Sequence, residues 1–115
     1  AALDVLLEMM GARKIAVLAS MLELGEQSLL KHREVGCYAA AKNLDILITI
    51  GKEAAEIAAG AKTKMNSEQI HILQNNKECI EFLTSQIEEN DLILIKGSRA
   101  NKLEEIAAEL KNKEF

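Results

Sequence analysis

A chain of 115 residues, 49% apolar and 28% charged, has the size and balance of one globular domain able to bury roughly two-thirds of its unfolded surface. A net charge of -4 gives nucleic-acid binding no general electrostatic support, and one Tyr and two Phe offer no stacking platform for bases. No apolar run approaches the length of a membrane span and no signal peptide is visible, so the expected setting is the cytoplasm, without nucleic-acid or membrane partners.

The first ten residues, AALDVLLEMM, carry a helical stripe of Leu3, Leu6, Leu7 and Met10 that Gly11 can end. With no initiator Met and no cap ahead of its first turn, this start predicts a piece of a longer chain. Lys14 to Ala19 (KIAVLA) reads as the first strand, and Ser20 to Gln27 as a loop carrying Glu23, Gly25 and Glu26. Ser28 can cap a helix from Leu29 to about Lys42, on which Ser28, His32, Val35, Gly36 and Ala39 share a face. Asp45 to Ile50 (DILITI) is the second strand, broken by Gly51. Glu53 to Ala61 follows as a helix whose inner face, Ala54, Ile57, Ala58 and Ala61, is small enough for close packing.

Ile70 to Leu73 is a short third strand. Asn75 with Glu78 fits a capping box, opening a helix with Cys79, Ile80, Leu83 and Ile87 as its buried stripe. Leu92 to Ile95 reads as a fourth strand, buried on both faces. After Lys96, Gly97, Ser98 and Arg99, a last helix presents Leu103, Ile106, Ala107 and Leu110 as one stripe. Asn101 and Glu104 stand there as N-cap and capping-box partner. Cys37 and Cys79, without C-x-x-C spacing, read as buried reduced thiols.

Strands alternating with helices predict an α/β domain with a mainly parallel sheet of at least four strands and helices on both faces. Ligands of such sheets bind beyond the carboxyl ends of the strands. That edge collects the loops at 19–27, 51–52, 74–76 and 96–101. The last is the most informative: a strand delivers a Gly-containing loop with two cations, Lys96 and Arg99, onto a helix start, where backbone N–H groups and the dipole already favour an anion. Arg99 can grip a carboxylate or phosphate through its planar fork and Lys96 as a point charge, while Ser98 can hydrogen-bond a ligand or cap the turn. Glu23 and Glu26 on the first loop can meet an amine or a metal-bound water, or stand as solvated carboxylates. His32 reads as a structural histidine, and Lys52 adds charge to the same edge. Neither G-x-x-x-x-G-K-[ST] nor G-x-G-x-x-G occurs, the two histidines lack ligand spacing for zinc, and the acidic residues of a receiver domain are missing.

MLELGEQSLLKHREVG (residues 21–36) with IKGSRANKLEE (residues 95–105) resembles the C-terminal domain of the Mur ligases, at that family's separation and over essentially the whole chain. The resemblance implies a Rossmann-like three-layer fold. It also implies a role in peptidoglycan synthesis in the bacterial cytoplasm, as the last of three domains of an ATP- and Mg²⁺-dependent ligase. In the nearest branch, D-alanyl-D-alanine is joined to UDP-N-acetylmuramoyl-tripeptide: ATP phosphorylates the carboxylate, and the incoming amine attacks the acyl phosphate. ATP and Mg²⁺ would sit mainly on the central domain, with no cofactor expected on these residues by themselves. This domain would close over the central one, partnering it and the N-terminal domain, and help bind the dipeptide through Lys96, Ser98 and Arg99, with Glu23 and Asn101 as further contacts. No catalytic residue or metal ligand is expected here. Two departures stand out: Ala19-Ser20 replaces the family's usual Gly-Asp, removing a carboxylate, and the Asn-Pro pair before the first helix is missing. The 115 residues by themselves are expected to fold without ligase turnover. Taken without the resemblance, the same loop suits a stand-alone α/β module binding a small anion or nucleotide.

Overall fold

A computed structural model describes residues 13–20, 28–41, 44–88, 91–97 and 102–111. The predicted first helix, the loop holding Glu23 and Glu26, and Ser98, Arg99 and Asn101 lie outside these residues. The elements are β1 (Lys14–Ala19), α1 (Ser28–Ala40), β2 (Ile46–Ile50), α2 (Ala55–Ala61), a 3₁₀ turn (Ser67–Gln69), β3 (Ile70–Leu73), α3 (Asn76–Gln86), β4 (Leu92–Lys96) and α4 (Glu104–Lys111). The four strands form one parallel sheet in the order β3-β2-β1-β4.

Alternation along the central strands sorts the core into two layers. Ala16 and Leu18 of β1 and Leu47 of β2 pack with Ala54, Ile57, Ala58 and Ala61 around α2, and Val35 of α1 joins them. Ile15, Val17 and Ala19, with Ile48 and Ile50, face the other way onto Cys79 and Leu83 of α3 and Ile106 of α4. Each large side chain fully withdrawn from water there contributes on the order of 1.5–3 kcal/mol. The pattern is that of a sheet covered on both sides, where inner strands lose their hydrophobic alternation.

The helices α1 and α2 meet without intervening side chains. A Cβ on Gly36 would lie 1.8 Å from the Ile57 carbonyl oxygen, and one on Gly60 would lie 2.1 Å from that of Arg33. Cys37 donates its thiol to the Gly60 carbonyl at 3.5 Å, and Arg33 bonds Glu56 across the same seam at 2.7 Å. At the other end of the sheet, Arg13 ties β1 to the start of β4. Its Nε and Nη2 donate to the two carboxylate oxygens of Asp91 at 3.1 and 2.7 Å, and Nη2 also donates to the Gln86 carbonyl at 2.7 Å.

Three expectations are corrected. Among the described residues β4 is an edge strand, and Leu92 to Ile95 are half-buried rather than enclosed, because the chain crosses back past β1 after β3. The final helix begins at Glu104, not Lys102: Lys102 has φ 52°, a left-handed conformation, so it cannot be the first helical residue after an Asn101 cap. Cys37 is half-buried, whereas Cys79 is enclosed as expected. The capping box on α3 holds in modified form. Asn75 Oδ1 accepts from the Glu78 N–H at 2.9 Å, while Glu78 reaches one residue further back, to the Gln74 N–H, also at 2.9 Å.

Candidate functional site

A parallel sheet ordered 3-2-1-4 changes direction between β1 and β4: the connections from β1 run outward through β2 and β3, then return to the opposite side. At that reversal, beyond the carboxyl ends of the two strands, lies the usual ligand position in open α/β sheets. Leu18 pairs with Lys96, so the end of β1 and the end of β4 stand side by side. From those two ends leave the loops in which Glu23 and the Ser98–Arg99 pair were predicted to act. Lys96 itself is described, exposed at the last position of β4.

The end of β1 is a junction. Ser20 is only 3% exposed. Its N–H donates to the Ile50 carbonyl at 3.1 Å, and its hydroxyl oxygen accepts the Ala54 N–H at 3.1 Å. Ala54, at the N-cap of α2, has no side-chain oxygen of its own, so the serine on the neighbouring strand takes over that task. Gly51 turns the chain between them with φ 104°, and any Cβ there would sit 2.5 Å from the Ser20 hydroxyl oxygen. This is a position only glycine fills without strain.

Glu53 follows in the same turn. Its own backbone N–H and then the Ser20 hydroxyl hold its carboxyl below the usual range, with smaller contributions from His32 and Lys52. His32 is fully buried on α1, and Lys52 is exposed beside Gly51. Sequence reasoning noticed Ser20, Gly51 and Lys52 singly and passed over Glu53, since no spacing rule links a residue after the first strand with one after the second. The available signal was a polar residue closing each of two adjacent apolar strands.

A concavity of about 400 Å³ lies beyond β2 and β3, lined by Ile50, Gly51, the Gln74–Lys77 stretch and Glu105. Asn76 spans it, donating to the Lys102 carbonyl at 3.2 Å and to Glu105 at 3.3 Å. The Glu78 N–H in the first turn of α3 is given to the Asn75 side chain, and Glu105 adds a carboxylate.

Fold and site together define a Rossmann-like α/β domain whose polar chemistry is gathered at the carboxyl edge of the sheet, around the end of its first strand. The chain belongs to the Mur ligase, glutamate ligase domain family, whose model matches residues 1–99. It is 35% identical over 98 residues to the UDP-N-acetylmuramoyl-tripeptide–D-alanyl-D-alanine ligase of Bacillus subtilis, covering 85% of this chain and 21% of that protein. The enzyme of the same name from Haemophilus influenzae is 36% identical over 115 residues, covering 98% and 24%. A crystal structure of MurF from Acinetobacter baumannii superposes with a TM-score of 0.84 at 30% identity, over 97% of this chain and 25% of that one. MurF from Thermotoga maritima in complex with ADP gives 0.75 at 26% identity, over 96% and 24%. The chain thus spans about a quarter of the length of the relatives it matches.

Proposed function

We propose that these residues serve as the C-terminal domain of an ATP-dependent ligase that adds D-alanyl-D-alanine to UDP-N-acetylmuramoyl-tripeptide during bacterial cell-wall synthesis in the cytoplasm. The observation carrying the reading is the strand order. It sets side by side the ends of β1 and β4, from which the two segments that resemble the ligases continue, at the reversal point where an α/β sheet takes its ligand. Relatives of that name at 35 and 36% identity support the substrate pair.

In this reading Lys96, Ser98 and Arg99 receive the carboxylate of the dipeptide or a nearby phosphate, with Glu23 and Asn101 as further contacts. Closure of the domain over a central ATPase domain brings these groups to the reacting centre and excludes water. ATP and Mg²⁺ belong to that central domain. The chain has no P-loop sequence, and among the described residues no group of three or more His, Cys, Asp or Glu side chains is placed to hold a metal ion. The described residues alone therefore offer no donor set for the nucleotide–metal pair. ADP in the Thermotoga relative supports a nucleotide in the assembled enzyme.

The test is steady-state turnover of the longest natural chain containing these residues, with ATP, D-alanyl-D-alanine and UDP-N-acetylmuramoyl-tripeptide. Lys96→Ala and Arg99→Ala should each raise KM for the dipeptide by about tenfold, the loss of one charge-assisted hydrogen bond, and leave KM for the tripeptide unchanged. The 115 residues in isolation should show no turnover. Absence of ligase activity in the natural chain refutes the reading.

A further inference from the structure

The geometry points to Asn76 as a positioning residue for the incoming dipeptide: through the Lys102 carbonyl it braces the far end of the segment in which the carboxylate contacts are proposed. The inference rests on the ligase reading above and adds to it a residue that touches no substrate. The near end of that segment is set by the sheet, since Lys96, the last residue of β4, pairs with Leu18. The far end is Lys102, the one described residue other than glycine with a positive φ, 52°. Its carbonyl oxygen accepts the Glu105 N–H at 3.1 Å, the bond that opens α4, and Asn76 Nδ2 donates to the same oxygen at 3.2 Å. That amide nitrogen also donates to Glu105 at 3.3 Å, so both of its hydrogens have an acceptor. A left-handed conformation is unfavourable for lysine and persists where neighbouring groups hold it. Asn76 supplies such a hold from another helix.

Asn76 is itself firmly placed. It is the first residue of α3, whose start is closed by the Asn75 side chain on the Glu78 N–H and by Glu78 on the Gln74 N–H, each at 2.9 Å. Cys79 and Leu83 of that helix share a buried cluster with Ile106 of α4, and Leu103 packs against it. Packing thus fixes where α4 lies, while the bond to Lys102 holds the residue through which the chain enters it. The two adjacent asparagines divide the work: Asn75 caps its own helix and Asn76 braces the next. A short segment held at both ends loses less freedom on taking up a ligand than one held at its start alone. Loss of the brace should therefore weaken binding of the dipeptide while every group that contacts it is left in place.

The experiment is steady-state turnover of the longest natural chain containing these residues, with each substrate varied in turn and the Tm of every variant recorded. Asn76→Leu, similar in size and without a donor, should raise KM for D-alanyl-D-alanine about fivefold and leave KM for UDP-N-acetylmuramoyl-tripeptide unchanged. Asn76→Asp keeps the shape, loses both donors and sets a second carboxylate against Glu105, so it should raise the dipeptide KM at least as far. Asn76→Gln retains the amide and should recover part of the loss. Asp91→Asn, at the amino edge of the sheet, lowers stability without touching this brace and should move neither KM. A dipeptide KM unchanged in both Asn76→Leu and Asn76→Asp, or raised equally by Asp91→Asn, reduces Asn76 to a structural residue and overturns the inference while the ligase reading stands. A parent chain without turnover overturns that reading, and the inference with it.

Discussion

Substituting Gly36 by Ala tests how closely the two helices on one face of the sheet are fitted. The added methyl would stand 1.8 Å from the Ile57 carbonyl oxygen and 2.9 Å from the Ala61 nitrogen. Ordinary carbon–oxygen contact needs about 3.3 Å, so α2 must retreat by more than 1 Å. Backbone faces backbone here, so no side-chain rotation can absorb the clash. A gap of 0.5–1 Å already forfeits about a quarter to a half of each dispersion contact, and α2 rests on the sheet through Ala54, Ile57, Ala58 and Ala61. Overpacking of this kind costs about 3 kcal/mol or more, against a gain of about 1 kcal/mol from the better helix propensity of Ala. The net loss is about 2 kcal/mol, a fall in Tm of roughly 8–10 °C for a domain this size. Thermal unfolding followed by circular dichroism, with the exposed Glu34→Ala as control, measures it. A Gly36→Ala protein as stable as the parent, or more so, would show that propensity outweighs contact and that the helices have room to spare.

Gly51→Ala should cost about 1–3 kcal/mol, from a left-handed φ and from crowding of the Ser20 hydroxyl. In a double-mutant cycle Ser20→Ala should remove the crowding but not the φ strain, giving a coupling above about 0.5 kcal/mol by urea denaturation; strict additivity would deny the contact. Asp91→Asn should lower stability in a pH-dependent way. Burial works against the Asp91 charge, but the Arg13 fork and the Glu88 N–H outweigh it and hold the carboxyl below its usual range. A lowered folded pKa contributes stability above the unfolded value near 3.9, which is lost as pH falls through the folded pKa. The Tm gap between parent and Asp91→Asn should therefore be full near neutrality and close below about pH 4; a gap independent of pH would refute the assignment. Burial pushes the Cys79 thiol up to about 12, so it should resist alkylation at pH 8 in the native protein and react once urea unfolds it, as peptide mass mapping would reveal.

The strands were legible because their signal is local. β1 and β3 fall at the predicted bounds and β2 starts one residue later, since runs of β-branched and aliphatic residues between breakers need no knowledge of neighbours. Strand order is not local. Leu92–Ile95 has the composition of an enclosed strand, and only the crossover past β1 makes it an edge. The start of α2 slipped from Glu53 to Ala55 because a serine from another strand, not a residue in the helix's own approach, receives its first N–H group. Of the predicted site, Lys96 stands at the strand end foreseen, while Glu23, Ser98, Arg99 and Asn101 fall outside the described residues. The Ser20–Ala54 junction depends on pairing β1 with β2, which no spacing along the chain announces.

The crossover past β1 also sets an order of assembly. β1 meets β2 across 31 positions, from Ile15 to Ile46, but meets β4 only across 78, from Lys14 to Leu92. The longer closure costs just about 0.8 kcal/mol more, too little to matter at equilibrium. In time the difference is larger, since a non-local pairing must wait for the chain to find it. The half-sheet of β1, β2 and the glycine-fitted helices can form while residues beyond 61 are still being synthesised; β4 arrives last, and Arg13 closing on Asp91 is its latch. Substitutions in that latch should accordingly quicken unfolding and leave refolding rates nearly untouched, whereas substitutions at Gly36 should slow refolding. β4 thus joins a half-sheet that is already formed, and the side-by-side ends of β1 and β4 come into existence only with it.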